Sequence, residues 1–390
     1  MKKSVIALII LALLAAFLFV FRGSIVPLFY SPREAPEESA EPDGPMSVEN
    51  TEAPEVVATG LSVPWEIAFL PDGRLLVTER GGAVRLIAAD GTSKAAGEIA
   101  VTARGEGGLL GVVLHPEFAK NGFLYFYYTY SHSGNIRNLV ERFVLREDAV
   151  VRANEDEREY IVDGLPGSSN HNGGRIAFGP DGYLYIATGD AGDAKAAQDR
   201  ESGAGKILRV RDDGSAPPDN PFASTGLYYA SRVYSYGHRN PQGLAWDSAG
   251  RLWATEHGRS GALSGFDEVN LIEPGGNYGW PDIQGGETKT GMIPPVLHSG
   301  PDVTWAPAGM AIVGNRIFFA GLRGQSLYSA TIEGTELGEL RSHFRGVYGR
   351  LRAVTLGPDG YLYISTSNRD GRGKPAEGDD RIIKVHPSSL

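Results

Sequence analysis

The sequence predicts an all-β protein: a six-bladed β-propeller of four-stranded antiparallel blades, preceded by an N-terminal membrane anchor or signal helix. Three observations support this prediction. A turn followed by an apolar strand recurs six times, the chain contains 52 Gly and 24 Pro, and helical periodicity is sustained only near the N-terminus. Turn-forming residues at this frequency are typical of many short strands rather than of long helices.

The recurring motif is a turn rich in Gly, Pro, Asp or Asn that leads directly into aliphatic and aromatic residues. The six copies are residues 71–77, 121–126, 180–186, 248–253, 314–319 and 358–364. Gly supplies the positive φ of a tight hairpin turn, and the residues after it favour a pleated strand. Intervals of about 45 to 67 residues suit a four-stranded sheet with variable loops, so six copies predict six blades. An irregular β-sandwich is the less favoured alternative, because its strands recur without a longer period.

The N-terminal part of the chain predicts a membrane-targeting segment. Lys2 and Lys3 precede an almost unbroken apolar run over residues 5–21, and no convincing small-x-small cleavage site follows it. A retained anchor is therefore favoured over a cleaved signal, and the domain after it is expected outside the cytoplasm. We divide the chain into a signal-anchor segment (1–30), a disordered tether rich in Pro and Glu (31–55) and the propeller (56–390).

Composition excludes several classes of function. The formal net charge of −10 argues against a nucleic-acid surface, which needs clustered cations. The chain has no Cys, so disulfides, thiolate zinc sites and a Cys nucleophile are excluded. The nucleophile elbow, the Walker loop, the H-E-x-x-H motif and the dinucleotide fingerprint are also missing from the sequence.

The first candidate site lies at residues 169–175, just before the third copy of the repeat. His171 sits there among Asn and Gly in a predicted loop, where an imidazole can transfer protons near neutral pH. A histidine bonded to the backbone of a turn is an equally good interpretation of this cluster alone. Asp190 leaves the far end of the strand pair that follows, so its carboxylate could lie beside His171 and orient the ring.

Two further loop clusters carry polar residues. Residues 237–243 include Arg239 and Asn240, a cation with a planar donor fork beside an amide, which suits carboxylate or quinone oxygens. Asp267 and Glu268, followed by the Gly-rich residues 275–281, offer oxygen ligands of the kind that calcium prefers. The calcium prediction from spacing alone is weak, because acidic turns are common.

The loop clusters belong to a longer series of motifs in a fixed order: residues 63–65, 107–111 with 115–116, 170–175, 237–243, 267–270 with 276–281, and 350–352. With these motifs the sequence from about residue 56 to 385 resembles the soluble pyrroloquinoline quinone-dependent glucose dehydrogenases and aldose sugar dehydrogenases, grouped as glucose/sorbosone dehydrogenases. The family is known for a six-bladed propeller, which agrees with the fold predicted from the repeats.

The resemblance implies roles for the catalytic residues and for several cofactor contacts. His171 matches the general base, Asp190 the carboxylate that orients it, and Arg239 with Asn240 the pair that contacts the cofactor, Arg239 stabilising charge on the quinone oxygen. Arg350 and Arg352 match arginines that bind the cofactor carboxylates.

The resemblance also implies a calcium site and shows departures from the family. Glu268 and the backbone of Tyr278 match calcium ligands, and carbonyls near Gly258 are candidates for the calcium that polarises the quinone. Arg323 stands where the family typically has Lys, and Glu106 stands at a cofactor-binding position that is commonly Gln. No Tyr follows Trp280-Pro281, where the family usually has one.

The predicted function is oxidation of aldose sugars at the anomeric carbon to lactones, with pyrroloquinoline quinone and Ca²⁺ as cofactors and an external electron acceptor. The predicted partners are the sugar and the acceptor, with no nucleic acid, membrane contact through the N-terminal segment only, and a monomer or homodimer. Two alternatives stay open: a calcium-dependent propeller lactonase or hydrolase, and a non-catalytic propeller that binds carbohydrate or protein.

Overall fold

The structure, a computed structural model, describes residues 52–152, 157–259 and 265–390. The strands and short helices of these residues are as follows: β1 (Glu55–Ala58), β2 (Pro64–Phe69), β3 (Leu75–Glu79), β4 (Ala83–Ile87), β5 (Ser93–Glu98), β6 (Leu109–Leu114), α1 (Phe118–Asn121), β7 (Phe123–His132), β8 (Asn135–Arg146), β9 (Ala149–Arg152), β10 (Glu159–Pro166), β11 (Ile176–Phe178), β12 (Leu184–Thr188), a 3-10 turn (Ala194–Ala197), β13 (Lys206–Val210), two 3-10 turns (Ala223–Thr225 and Ala230–Arg232), β14 (Val233–Tyr236), β15 (Pro241–Trp246), β16 (Leu252–Glu256), β17 (Glu268–Ile272), β18 (Leu297–His298), β19 (Pro307–Val313), β20 (Arg316–Gly321), β21 (Ser326–Glu333), β22 (Glu336–Leu337), β23 (Arg341–His343), β24 (Leu351–Leu356), β25 (Leu362–Thr366), β26 (Ile382–Val385) and a 3-10 turn (Pro387–Ser389).

These strands form six antiparallel sheets, which confirms the predicted six-bladed propeller. Blade 1 is β2 to β5, blade 3 is β11 to β14, blade 4 is β15 to β18, and blade 6 is β24 to β26 with β1. Blades 2 and 5 depart from the predicted four strands. In blade 2 β9 pairs with β8, and in blade 5 β22 and β23 both pair with β21, so each of these sheets has five strands.

The ring is closed by pairing between the two ends of the domain. β1 forms the outer strand of blade 6, with Glu55 opposite Lys384 and Val56 opposite Ile383. The first strand thus begins at Glu55, the last residue of the predicted tether. A blade built from both ends of the domain holds the ring closed, because the first and last blades cannot separate without breaking the pairing of β1 with β26.

Each copy of the sequence repeat forms the hairpin between the first and second strands of one blade. In blade 3, for example, Gly182 has a φ of 79° in the turn between β11 and β12. The second strands β3, β12, β16 and β25 are buried along their whole length, because neighbouring blades cover both of their faces. Burial on both faces explains why the residues after each turn form a continuous apolar run.

The strand order gives the propeller two ends with different loops. One end, which we call the turn face, carries the six hairpin turns of the repeat. The other, which we call the site face, carries the connections that precede the first strand or follow the second strand of each blade. His171, Asp190, Arg239 and Arg350 all lie in such connections, so the topology brings them to the same face.

The predicted signal-anchor segment, residues 1–30, lies outside the described residues, as does the tether up to residue 51. In the part of the chain that the structure describes, no helix has the length and apolar character needed to cross a membrane. The division of the chain at residues 30 and 55 stays a prediction.

Candidate active site

His171 lies in the loop between β10 and β11, in an unusual backbone conformation. Its φ is 55°, in the left-handed region that residues other than Gly seldom adopt. Its Nδ1 is 2.8 Å from Oδ1 of Asp190, which follows β12. The hairpin of β11 and β12 therefore brings together two side chains that are 19 residues apart in the sequence.

The Asp190 carboxylate is buried and held at both oxygens. Trp280 Nε1 donates to Oδ2 at 2.9 Å, and the Gly192 amide donates to Oδ1 at 2.8 Å. Burial acts to raise the pKa of Asp190, but the hydrogen bond and charge of His171 outweigh it, and the pKa lies below its usual value. An ionised carboxylate at this position accepts the Nδ1 proton of His171 and leaves Nε2 as the basic nitrogen.

Arg239 lies on the other side of the His171 ring, in the connection between β14 and β15. Its Nη2 is 2.8 Å from His171 Nε2, and its Nη1 donates to the His257 carbonyl at 3.2 Å. The guanidinium carbon lies 5.3 Å from the ring centroid of Trp280. Burial lowers the pKa of Arg239 from its ordinary value, although several nearby carboxylates oppose the shift. A buried guanidinium of this kind favours an anionic ligand.

Asn240 links the loops of His171 and Arg239. Its Oδ1 accepts a hydrogen bond from the Gly173 amide at 2.9 Å. Its Nδ2 is buried and has no hydrogen-bond partner among the described residues. A buried donor without a partner is costly, so this amide group fits a ligand oxygen.

Glu106 lies in the connection between β5 and β6 and contacts the same loop. Its Oε2 accepts the backbone N–H of His171 at 3.0 Å, and its Oε1 accepts Nη1 of Arg372 at 2.7 Å. Burial would raise the pKa of Glu106, but the charges of Arg372 and His257 lower it to about 2. The carboxylate is therefore ionised and paired within the protein.

Arg350 and Arg352 are both buried and share one carboxylate, that of Asp370. Arg350 donates to Asp370 Oδ2 from Nε at 2.9 Å and from Nη2 at 2.7 Å, whereas Arg352 Nη2 is 3.7 Å from the same oxygen. Burial lowers the pKa of Arg352 to about 10, with Arg80 and Arg350 adding to the shift. One carboxylate beside these cations leaves an excess of buried positive charge, which suits a ligand that carries carboxylates.

His257 is a further buried residue beside Arg239, whose Nη1 donates to its carbonyl and with which it lines one cavity. His257 directly follows β16 and is buried, and burial lowers its pKa to about 3. The charges that act on its ring come from Glu106, Arg239, His171 and Arg352. Like Asn240 Nδ2, His257 Nε2 is buried and lacks a hydrogen-bond partner within the described ranges.

Arg323 follows β20 in blade 5. Its backbone N–H donates to the Trp305 carbonyl at 3.1 Å. A place for its side chain beside a cofactor stays a prediction.

Two of the three predicted metal ligands, Gly258 and Glu268, lie beside Arg239. Gly258 and Glu268 line a small cavity together with Arg239, Glu256 and Gln284. Burial and the neighbouring Glu256 raise the pKa of Glu268 to about 8. Within the described residues no group of three or more His, Asp or Glu side chains is arranged to hold a metal ion.

Other oxygen donors near Glu268 still fit calcium. Gln284 Oε1 and Asn270 Oδ1 are buried without hydrogen-bond partners in the described part of the chain, and Asn270 Nδ2 donates to Glu268 at 3.2 Å. Carboxylate and amide oxygens are the ligands that calcium prefers. Tyr278 packs its ring on His238, with centroids 4.7 Å apart, and its backbone N–H donates to the Tyr236 carbonyl. Its backbone as a calcium ligand stays a prediction.

Sequence reasoning missed four residues of the cluster: Trp280, His257, Asp370 and Arg372. Trp280 belongs to the motif at residues 275–281, but the sequence gives it no role of its own. A positional signal was available for His257 and Asp370, because each lies shortly after the second strand of its blade, as Asp190 does. Arg372 lies in the same connection as Asp370, but no signal in the sequence indicates its pairing with Glu106, which is 266 residues away.

Comparison with known proteins identifies the family. The model of the Glucose / Sorbosone dehydrogenase family matches residues 61–375. The chain belongs to the glucose/sorbosone dehydrogenase family. The family and oxidoreductase class predicted from the sequence are thereby confirmed.

Three relatives illustrate this membership of the glucose/sorbosone dehydrogenase family. Aldose sugar dehydrogenase YliI of Escherichia coli (strain K12) is 33% identical over 358 residues, covering 85% of this chain and 92% of the relative. Quinoprotein glucose dehydrogenase B of Acinetobacter calcoaceticus is 34% identical over 264 residues, covering 60% of this chain and 54% of the relative. The solved PQQ-bound form of aldose sugar dehydrogenase from Streptomyces coelicolor is 41% identical with a TM-score of 0.77, covering 85% of this chain and 96% of that one.

Proposed function

We propose that this protein oxidises aldose sugars at the anomeric carbon to lactones, using pyrroloquinoline quinone, and passes the electrons to an external acceptor. The observation that carries the proposal is the contact series Asp190, His171 and Arg239, in which each neighbouring pair of side chains is 2.8 Å apart. Names of the relatives support the substrate and cofactor classes, since they include an aldose sugar dehydrogenase and a quinoprotein glucose dehydrogenase.

His171 is the proposed general base. The Asp190 carboxylate accepts the Nδ1 proton of His171, so Nε2 carries the lone pair that takes the proton from the anomeric hydroxyl. In the structure Arg239 Nη2 donates to this nitrogen at 2.8 Å. The sugar hydroxyl must therefore replace Arg239 at Nε2, and the displaced guanidinium is then available to a ligand oxygen.

The arginines and Asn240 are the proposed cofactor ligands. Pyrroloquinoline quinone is a planar tricarboxylate, and when bound it supplies a quinone that accepts two electrons and a proton as hydride from the sugar. Arg350 and Arg352 provide the buried positive charge for its carboxylates, and Arg323 is proposed to add to it. Arg239 and Nδ2 of Asn240, which has no hydrogen-bond partner in the described part of the chain, are proposed to hold the quinone oxygens. Glu106, ionised and paired with Arg372, is proposed to border the site.

Calcium is the proposed second cofactor. Glu268, the backbone of Tyr278 and the carbonyl of Gly258 are the proposed ligands, with support from the cavity that Gly258 and Glu268 share with Arg239. A bound cation would remove the electrostatic cost of the adjacent Glu256 and Glu268 carboxylates, which the raised pKa of Glu268 reflects. Near the quinone it would act as a Lewis acid.

We further propose an extracytoplasmic location, with the apolar run at residues 5–21 as the tether, and a monomer or homodimer. The chain has no Cys and therefore no C-x-x-C-H haem attachment motif, so the electron acceptor is proposed to be a separate molecule.

The test is reconstitution of the full chain in detergent with pyrroloquinoline quinone and Ca²⁺, followed by dye reduction with a panel of aldoses. We expect reduction that requires the cofactor, and lactone as the product. Omission of the cofactor and omission of Ca²⁺ are the controls. Lactone hydrolysis without the quinone would instead support the lactonase alternative, and sugar binding without turnover would support the non-catalytic one.

A further inference from the structure

We propose that Glu106 and Arg372 are positioning residues, which hold the His171 ring in its working orientation by fixing the backbone of residue 171. The inference rests on the proposed function for the role of His171 as base. It assigns Glu106 a different role from that of a cofactor ligand, because both of its carboxylate oxygens are engaged by the protein.

The backbone of His171 needs external support. With a φ of 55°, it adopts a conformation that persists in a residue with a side chain only when surrounding contacts maintain it. Two hydrogen bonds provide these contacts. The His171 amide donates to Glu106 Oε2 at 3.0 Å, and the His171 carbonyl accepts from the Ala191 amide at 3.1 Å. Together they fix the peptide planes on both sides of residue 171 and thus the direction of its Cα–Cβ bond.

Glu106 is itself fixed at two points. Its backbone N–H donates to the Ser169 carbonyl at 2.8 Å, which joins its loop to the His171 loop. Its side chain is held by the ion pair with Arg372 at 2.7 Å, and only 17% of that side chain is exposed. An ionised carboxylate has acceptor sites on both oxygens, so Glu106 can serve His171 and Arg372 at once.

Arg372 connects the Glu106 carboxylate, which holds the His171 backbone, to Arg350 and Arg352 of blade 6. Its side chain is 57% exposed, but its backbone N–H donates to Asp370 Oδ1 at 2.9 Å. Asp370 Oδ2 in turn accepts from Arg350 at 2.7 Å. The contacts therefore run from Arg350 through Asp370, Arg372 and Glu106 to the backbone of His171. An anion bound by Arg350 would act on the same series of contacts.

The experiment uses the full chain loaded with pyrroloquinoline quinone and Ca²⁺, and compares four variants. Glu106→Ala removes both hydrogen bonds, Glu106→Gln keeps an acceptor oxygen for His171 but removes the charge, and Arg372→Gln removes the ion pair alone. Lys374→Gln is the matched control, because it makes the same charge change two residues away in the same exposed loop.

We expect kcat to fall at least tenfold in Glu106→Ala and about threefold in Glu106→Gln and Arg372→Gln, with the KM for sugar changed less than threefold. Lys374→Gln should behave as wild type. The double variant Glu106→Gln with Arg372→Gln should be no slower than either single variant, because the two residues act through one ion pair.

A second measurement does not depend on turnover. In cofactor-free protein, the ring ¹⁵N signals of His171, assigned by their loss in His171→Asn, should shift or broaden in Glu106→Ala and stay unchanged in Lys374→Gln. Unchanged His171 signals together with a kcat within twofold of wild type in Glu106→Ala would overturn the proposal. If Glu106→Ala fails to fold, the same criterion applies to Glu106→Gln and Arg372→Gln.

Failure of the proposed function would look different. In that case wild type itself would show no quinone-dependent sugar oxidation, while the ¹⁵N signals would still report whether Glu106 orients the His171 ring. Altered signals in Glu106→Ala would support the positioning role, and unaltered signals would refute it.

Discussion

The two ends of the propeller are built by different kinds of contact. On the turn face the hairpins close on themselves: Asp72, Asp181 and Asp359 each accept a hydrogen bond at Oδ1 from an amide two residues later, at 3.1, 3.2 and 3.3 Å. On the site face the contacts join distant segments, such as Arg239 to His171 across 68 residues and Glu106 to Arg372 across 266. The turns of the repeat are thus shaped by contacts within one hairpin, whereas the contacts that join the loops of different blades into one site depend on the closed ring.

This difference has energetic consequences. Turn residues are exposed, so each turn should tolerate change independently of the others. Site-face side chains are buried and charged, so removal of one partner leaves another group without compensation. The following predictions test the contrast, and in each a change on the site face has a control on the turn face or in an exposed loop.

The largest expected effect is on catalysis. His171→Ala should lower kcat about a thousandfold, because it removes the proposed general base. The Kd for pyrroloquinoline quinone should change less than about threefold, since the arginines remain. His386→Ala, a change in the exposed C-terminal turn where His386 contacts Ser388, is the control and should leave kcat unchanged. Steady-state kinetics and cofactor titration measure both quantities, and normal turnover in His171→Ala would contradict the assignment.

The next effect concerns a buried ion pair at the inner strands. Arg175 pairs with Glu66, donates from Nε to the Gln242 carbonyl at 2.8 Å and lies 4.7 Å from the Trp65 ring centroid. Arg175→Met should lower the free energy of unfolding by about 3 to 5 kcal/mol, because it leaves the Glu66 carboxylate buried without a partner.

Two further variants sharpen this prediction. Arg74 on the turn face pairs with Asp72 and Asp148 in solvent, and Arg74→Met should cost less than about 1 kcal/mol. The double variant Glu66→Gln with Arg175→Met should recover part of the loss, since the buried charge is gone. Denaturant unfolding monitored by Trp fluorescence measures all three, and equal losses in the two single variants would refute the contrast.

Two glycines with positive φ offer a matched comparison of the faces. Gly182 in the turn face has a φ of 79°, and a Cβ there would meet nothing within 4 Å. Gly173 beside the site has a φ of 65°, and a Cβ there would lie 2.4 Å from the Ala187 carbonyl oxygen. Gly182→Ala should therefore cost about 1 kcal/mol from the backbone alone, whereas Gly173→Ala should cost about 3 kcal/mol.

Cofactor binding and kcat should also differ between Gly173→Ala and Gly182→Ala. The Gly173 amide donates to Asn240 Oδ1, so its displacement should also weaken cofactor binding, while Gly182→Ala should retain full kcat. Thermal unfolding and cofactor titration are the measurements. A Gly173→Ala protein as stable and as tight-binding as Gly182→Ala would show that the crowding at residue 173 is easily relieved.

The contrast between the faces also explains what the sequence could predict. The six Gly-containing turns repeat with a local signature, Asp-Gly in three of them, and this signature predicted the number of blades and the first two strands of each blade. The outer strands were harder to predict, because no sequence repeat indicates β9, β22 or β23.

The site was predictable only in part. His171 and Asp190 were joined correctly in space because a single hairpin separates them. The partner of Glu106 was not, because its contact with Arg372 joins the connection after blade 1 to blade 6 and depends on ring closure. Asp370 was missed although, like Asp190, it is separated from its partner Arg350 by a single hairpin. His238 shows that a polar loop motif does not always mark an accessible side chain. It lies in such a motif but is fully buried, with Glu256 and Ser235 each 2.8 Å from its ring nitrogens.

The smallest expected effect is the pH dependence of the Glu106–Arg372 pair. The pKa of Glu106 in the folded protein is about 2, below the ordinary value of 4.5. A depressed folded-state pKa contributes stability that is fully present above pH 4.5 and is lost as the pH falls toward 2. Because Arg372 is 57% exposed, solvent screening reduces this contribution to about 1 kcal/mol. The difference in free energy of unfolding between wild type and Glu106→Gln should therefore shrink between pH 5 and pH 3, measured by urea titration.

Asp72→Asn is the turn-face control: the pKa of Asp72 is lowered by Arg74, but its side chain is 51% exposed and the corresponding difference should be near zero at both pH values. A wild-type advantage over Glu106→Gln that is constant from pH 5 to pH 3 would show that the carboxylate contributes through its hydrogen bond to His171 and not through its charge.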